Sequence, residues 1–205
     1  MVREGYKFAF PPLILGIALL ALHWWWAGIL VALGLFVLYF FRDPERQISA
    51  DSDAVVSPAD GRVMEIVDEP HSGKSGKRVS IFLSVFDVHV NRAPVGGKIA
   101  RMEYTHGRFM AAWKGKASAE NEQNLIAIET PGGEMHFKQI AGWVARRIVV
   151  WKKAGDEVKI GERVGMIRFG SRVDIWLPAD GEILVQCGQH VAGGATQLAR
   201  WRSSK

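Results

Sequence analysis

The sequence predicts a mostly β domain with an N-terminal hydrophobic membrane helix or helical hairpin, and three observations lead there. From residue 8 to residue 41 the chain reads FAFPPLILGIALLALHWWWAGILVALGLFVLYFF, in which His23 is the one acidic or basic side chain. Immediately after Phe41 the composition changes to RDPERQISADSDA, a polar, charged connector. From near Val55 onward, short apolar runs are separated by Gly, Pro and Asp, as in VVSPADGRV, RVSIFLSVFDVHV, NLIAIETPGGEMHFKQI and VDIWLPADGEILV. That texture belongs to strands joined by tight turns.

Composition sets the outer bounds. The 205 residues are 48% hydrophobic and 23% charged, with eight Trp and ten Phe, which excludes a disordered chain. Cys187 is the sole cysteine, so no disulfide forms within the chain and a reducing compartment suits it. The net charge of +5 favours an anionic partner, either nucleic acid, an acidic membrane or an acidic small molecule. No motif of interleaved basic and aromatic residues supports nucleic acid, and none is expected to bind.

The apolar run exceeds the ~20 residues of one membrane span and falls short of two. One tilted helix accounts for it; so does a short hairpin of residues 13–22 and 29–41, with His23, Trp24, Trp25 and Trp26 near its turn. The hairpin is the favoured form. Arg3 and Lys7 precede the run and Arg42 and Arg46 follow it, which permits both ends on one side of the membrane. The run is too long for a signal-peptide core and no A-x-A pattern follows, so it is expected to be retained. Residues 1–46 then form a membrane anchor and connector, and residues 47–205 a β-rich domain.

Within that domain ETPGGEMHF is a hairpin signal, with strand-like residues on each side of Pro131, Gly132 and Gly133. The tetrapeptide PADG occurs at residues 58–61 and again at 178–181, each time followed two positions later by a β-branched residue. Pro presets a turn residue, Asp bonds backbone amides and Gly takes a positive φ, so Asp60 and Asp180 read equally well as turn-formers. The segments GDEVKIGERVGMI and GQHVAGGATQLA resemble strands of lipoyl and biotinyl carrier domains, which implies a barrel-sandwich, lipoyl-like architecture. Carrier domains present a modifiable Lys at a hairpin tip between such strands. Here that place holds FGSR, residues 169–172, and so a hydroxyl instead of an amine.

A Gly-Ser step can do chemistry that Ser within a strand cannot. Gly170 adds no bulk at the acyl group and tolerates strained backbone, so the hydroxyl of Ser171 could attack the preceding carbonyl. The resulting ester can undergo β-elimination and leave dehydroalanine, which loses ammonia to become a pyruvoyl group.

Other segments give that step a context. Residues 41–44 (FRDP), 56–61 (VSPADG), 82–94 (FLSVFDVHVNRAP), 116–121 (KASAEN), 140–148 (IAGWVARRI), 161–167 (GERVGMI) and 169–174 (FGSRVD) span nearly the whole chain. In kind and order they closely resemble the short, compact class of phosphatidylserine decarboxylase proenzymes. The resemblance implies cleavage between Gly170 and Ser171, giving a β chain of residues 1–170 and an α chain of 171–205 that pair as a heterodimer, open to further homo-oligomerisation. It implies a pyruvoyl cofactor made from Ser171, and a Schiff base with the serine headgroup as electron sink for the departing CO2. The product would be phosphatidylethanolamine. The expected location is the cell membrane, with the catalytic domain cytoplasmic.

The resemblance also assigns roles. His89 falls where the family carries its active-site His, and is the expected general acid. Asp60 matches an acidic residue that works with a His in self-cleavage. Longer members have a second His three positions after the one matched by His89; this chain has Arg92, so a complete Asp-His-Ser relay does not carry over and two routes stay open for self-cleavage, His89 serving both steps or strain and oxyanion donors carrying it. Arg92, Arg146 and Arg147 are candidate partners for phosphate and carboxylate, and Asn91 and Ser118 for the headgroup. His106, His136 and His190 lack metal-ligand spacing, so no metal is expected. Two other classes compete: a membrane-anchored barrel-sandwich adaptor of a transport assembly, without catalysis, and a membrane-bound serine hydrolase using Ser171 as an ordinary nucleophile.

Overall fold

The computed structural model describes residues 1–48, 51, 53–110, 120–143, 147–168 and 170–201, which separate into two units, Met1–Glu45 and Arg46–Lys205. The first is a helical hairpin. Helix α1 (Tyr6–Ala21) and helix α2 (Gly28–Phe40) pack against each other, joined through Leu22 to Trp24 and a short 3-10 turn at Trp25–Ala27. His23 takes φ of +63° at the reversal, a conformation His tolerates better than a β-branched residue. The helices run antiparallel, since the Val2 N–H donates to the Phe41 carbonyl at 3.0 Å while Gly16 lies against Leu30 and Val31. Glycines permit the close approach: a Cβ on Gly34 would fall 2.4 Å from Leu13 Cγ.

The outer faces of the hairpin remain apolar, with Phe8, Ile14, Ile17, Leu22, Trp25, Ile29 and Leu35 exposed. Arg3–Ala21 is long and apolar enough to cross a membrane and Trp25–Phe40 is a shorter apolar helix. This fits membrane association of the N-terminal unit. Helix α1 begins seven residues earlier than the hairpin expected from sequence and runs through Pro11 and Pro12. Two missing N–H donors are tolerated here because neighbouring helix surface and adjusted backbone can compensate in an apolar hairpin.

The second unit is mostly β, and none of its sheets closes on itself. Strands β1 (Ala54–Val56), β2 (Gly61–Asp68), β3 (Gly76–Leu83), β4 (Val90–Arg92), β5 (Gly97–Thr105), β6 (Gln123–Thr130) and β7 (Gly133–Ala141) come first. Then follow β8 (Ile148–Val150), β9 (Glu157–Val158), β10 (Arg163–Ile167), β11 (Ser171–Pro178), β12 (Glu182–Ile183), β13 (His190–Val191) and β14 (Gln197–Arg200). An eight-stranded antiparallel sheet has the order β13-β2-β3-β11-β7-β6-β5-β9, and two three-stranded sheets have the orders β1-β14-β12 and β4-β10-β8. The expected hairpin is present: β6 and β7 turn through Pro131 and Gly132, with Thr130 facing Gly133.

Strand β11 lies centrally, paired with β3 on one side and β7 on the other. Its alternation explains the core. Val173, Ile175 and Leu177 join Val79, Ile81, Leu83, Ile126, Ile128, Met135 and Phe137 in one buried cluster. Each such side chain contributes about 1.5–3 kcal/mol on leaving water. The alternate residues Arg172, Asp174 and Trp176 are buried too, on the other face. Because β10 and β11 belong to different sheets, these two strands do not pair as a hairpin.

Candidate active site

Ser171 opens β11 at the end of the large sheet, with Leu83 and Ala141 as its neighbours in register. It is fully buried, and its Oγ has no hydrogen-bond partner among the described residues. A buried hydroxyl without a partner costs about 1–3 kcal/mol, so its retention needs a reason other than packing. Gly170 precedes it with φ of +64°, the left-handed region that L side chains enter at a cost. A Cβ on Gly170 would meet nothing within 4 Å, so the backbone conformation, not crowding, selects glycine here.

His89 is brought to the same place by the loop between β3 and β4. The Gly170 N–H donates to His89 Nε2 at 3.2 Å, and Nδ1 lies 2.9 Å from the Asp87 carbonyl oxygen. A carbonyl can only accept, so Nδ1 carries the proton and Nε2 presents its lone pair: a neutral imidazole in a defined tautomer. The ring is 1% exposed. The turn that delivers it is fixed by hydrogen bonds from Ser84 N–H to Asp87 Oδ2 and from Asp87 N–H to the Ser84 carbonyl. Asp87 Oδ1 in turn faces His190 Nε2 at 2.9 Å. Sequence reasoning missed Asp87 because its contribution to the ring is a main-chain carbonyl, for which no side-chain signal exists.

Asp60 is buried in the turn before β2, and its hydrogen bonds go to Arg46 Nη2, at 2.7 and 2.9 Å, and to the Gly193 N–H at 2.8 Å, not to His89. Burial pushes its carboxyl above the ordinary value; the Gly193 amide and Arg46 pull the other way without cancelling that effect. Asp87 adds a repulsive charge nearby. Gly61, next in the turn, has φ of +146° and comes so close to β3 that a Cβ would lie 2.1 Å from the Phe82 carbonyl oxygen. The second PADG behaves differently, leaving Asp180 exposed.

Asn91 is fully buried on β4. Its Oδ1 accepts from Gln139 Nε2 at 2.8 Å, and Asn124 Nδ2 donates to Gln139 Oε1 at 2.9 Å. The Nδ2 of Asn91 has no partner among the described residues, a second buried polar atom left over beside that of Ser171. Gln139 faces Val173, two residues along from Ser171. Arg92 is buried, donating to the Gly161 carbonyl at 3.0 Å, whereas Arg147 is exposed. Ser118 and Arg146 lie outside the described residues.

A charged network runs behind the site, on the face of the sheet away from the core. Arg172 Nε donates to Asp174 Oδ1 at 2.6 Å, and its Nη2 to Glu65 Oε1 at 2.8 Å and Ser80 Oγ at 2.7 Å. Arg78 bonds Glu65 and Glu69 at 2.8 and 2.7 Å. Burial pushes the carboxyls of Glu65 and Glu69 up, but Arg78 at both, Arg172 at Glu65 and the Trp176 indole at Glu69 outweigh it and hold them below the ordinary range. A cavity of about 440 Å³ lies at the opposite end of β11, lined by His71, Lys74, His136, Trp176 and Trp201. It is remote from Ser171. Among the described residues no group of three or more His, Cys, Asp or Glu could hold a metal.

Comparison with known proteins defines the class. A sequence model of the phosphatidylserine decarboxylase family matches residues 33–199. The phosphatidylserine decarboxylase proenzyme of Symbiobacterium thermophilum is 47% identical over 204 residues, 98% of this chain and 95% of that protein. The proenzyme of that name from Solibacter usitatus is 49% identical over 185 residues, 88% of each chain. The molecule is therefore an enzyme, a decarboxylase of the lyase class related to proenzymes, and the adaptor and hydrolase readings are set aside. The chain belongs to the phosphatidylserine decarboxylase family.

Proposed function

We propose that the protein is a self-processing, pyruvoyl-dependent enzyme that converts phosphatidylserine, or a related serine phospholipid, to phosphatidylethanolamine and CO2. The observation that carries this reading is the contact of the His89 Nε2 lone pair with the Gly170 amide, one residue from the buried hydroxyl of Ser171, which has no hydrogen-bond partner among the described residues. In the processing step His89 takes the Ser171 hydroxyl proton and Oγ adds to the Gly170 carbonyl. The amide nitrogen leaves protonated, giving an ester. Elimination across Cα–Cβ of residue 171 then frees Gly170 as a carboxylate. The dehydroalanine left behind tautomerises and takes up one water to release one ammonia.

The surroundings of Ser171 suit a pyruvoyl group: residue 171 is dry, held by β3 and β7, and beside a base. When formed, that group supplies the Schiff-base carbonyl that accepts the electron pair left by CO2. The chain's own residues do the rest. His89, once protonated, returns a proton to the substrate α-carbon. Asn91 offers a spare amide N–H to an oxyanion, and the exposed Arg147 guanidinium faces the anionic headgroup. Asp60 contributes charge beside the Asp87 turn and acts on His89 only through that turn. Residues 1–46 serve as anchor and connector and 47–205 as the catalytic domain, placed on the cytoplasmic side of the cell membrane, with the β chain (1–170) and α chain (171–205) as a heterodimer.

The test is the intact mass of the purified protein under denaturing conditions, with Ser171→Ala alongside. The expected result is two fragments divided between 170 and 171, the smaller lighter by one ammonia than a peptide starting at Ser171 once the water taken up is exchanged for the ketone oxygen. A single full-length mass from well-folded, active enzyme would overturn the proposal.

A further inference from the structure

The two most exposed large apolar side chains among the described residues of the catalytic unit are Phe86, at 63%, and Trp143, at 66%. Both belong to the rim around Ser171. Leu83 and Ala141 flank Ser171 in register, and each strand leaves the sheet there, reaching Phe86 three residues later and Trp143 two residues later. At ~3.6 Å per residue, both lie within about 16 Å of Ser171. The Ser84 to Asp87 turn, with three internal hydrogen bonds including one from the Phe86 N–H to Ser84 Oγ, holds Phe86 outward at a fixed corner. Arg147 and Arg168 sit at one end of the neighbouring β4-β10-β8 sheet, Arg168 three residues before Ser171, joined by a hydrogen bond from the Arg168 N–H to the Arg147 carbonyl.

We propose that this rim is a second membrane-contacting surface, in which Phe86 and Trp143 insert among the headgroups of an anionic bilayer while Arg147 and Arg168 meet lipid phosphates. The inference rests on the lipid-decarboxylating reading given above and deepens it. The reactive atoms of Ser171 and His89 are inside the catalytic unit, at 0% and 1% exposure. A diacyl lipid cannot leave the bilayer cheaply, at ~0.8 kcal/mol per CH2, so its headgroup reaches those atoms only if the rim itself enters the headgroup layer. Aromatic side chains flanked by arginines are the residues that settle at that depth. The hairpin confers attachment; the rim sets the height and orientation of the site.

The experiment reads depth, so it is independent of attachment and of turnover. Full-length Cys187→Ser protein carrying Phe86→Cys, Trp143→Cys or, at the far end of the sheet, Glu129→Cys is labelled with a polarity-sensitive fluorophore. Each is reconstituted in vesicles of phosphatidylcholine and phosphatidylserine, seven to three, with and without nitroxide-bearing lipid. Labels at 86 and 143 are expected to shift to the blue and to be quenched by the nitroxide, with the label at 129 unchanged. Labels at 86 and 143 as aqueous as that at 129 overturn the proposal. A blue shift without quenching overturns it too, since it would place the aromatics against a second copy of the chain. As a second readout, Phe86→Ser/Trp143→Ser should lower the ratio of turnover on vesicles to turnover on a monomeric dibutyryl phosphatidylserine about tenfold. An unchanged ratio counts against the rim, whereas absence of decarboxylation on both lipids, in the wild type, would sink the enzymatic reading and leave the label positions to report on docking.

Discussion

Replacing His89 with glutamine tests the arrangement at the proposed scissile bond most directly. The shorter amide side chain would keep bulk and a hydrogen-bonding terminus near the Gly170 N–H but would have no basic lone pair. One contribution is weakened and a second disappears. The contact from the Gly170 N–H to Nε2, 3.2 Å long, stabilises the strained turn by about 1 kcal/mol. General base assistance contributes about 10²–10⁴ in rate, which at ~1.36 kcal/mol per tenfold is about 3–5 kcal/mol of barrier. Processing should therefore slow at least a hundredfold. The assay is a pulse-chase of full-length chain into fragments on denaturing gels, with fragment masses as a check. A control follows from the geometry. Because Nδ1 donates to the main-chain carbonyl of Asp87, Asp87→Asn keeps the tautomer and should change the rate by less than about threefold. Processing of His89→Gln within threefold of wild type would refute the assignment of the base, whatever its effect on later decarboxylation.

Other outcomes follow from the same geometry. Arg172→Met leaves Asp174 buried beside Arg78 at 3.8 Å and should destabilise the uncleaved Ser171→Ala protein by about 3–5 kcal/mol in denaturant titrations. Arg172→Met/Asp174→Leu should recover most of that loss, and failure to recover would show that the pair is not the source. Gly170→Ala places a methyl in open space and costs only about 1 kcal/mol for the left-handed backbone, so it should fold normally while processing slows, as gel and thermal melts will show together. Glu65 and Glu69 have carboxyls held below their ordinary value of 4.5, so they contribute stability above pH 4.5 that is lost as pH falls through their lowered values. Melting temperature of the Ser171→Ala protein should drop on that acid limb, and Glu65→Gln/Glu69→Gln should flatten it. Asp60, whose carboxyl is raised, acts with the opposite sign.

The parts of the fold legible in sequence were those with a strong local signature. The hydrophobic run and its Trp-rich reversal announced the hairpin, and Pro131 and Gly132 the β6–β7 turn. The start of α1 was misplaced because Pro11 and Pro12 end helices in water, where freed carbonyls are not repaired by a neighbouring helix. The segment FLSVFDVHV looked continuous, yet the chain leaves the large sheet at Leu83 and enters the β4-β10-β8 sheet at Val90, with a hydrogen-bonded turn between them. At the candidate site, motif and resemblance pointed to Ser171 and His89, and the structure sets His89 against the Gly170 amide next to Ser171. The Arg172–Asp174–Glu65 network was not, because a buried charge is recognisable only once the strands that bring its partners are paired. The Asn91–Gln139–Asn124 chain stayed hidden for the same reason.

The central position of β11 has a consequence for the life history of the molecule. Residues 171–205 hold the middle strand of the large sheet and the strand that pairs with β1, but too little else to enclose a hydrophobic core alone. If the chain is cut before Ser171, maturation has to follow folding, because the severed piece would have no independent route to its slot. The mature enzyme would then hold its shape by a barrier to escape and not by reversible equilibrium. Heating or denaturing it should be a one-way event, whereas the uncleaved Ser171→Ala chain retains the covalent memory needed to return.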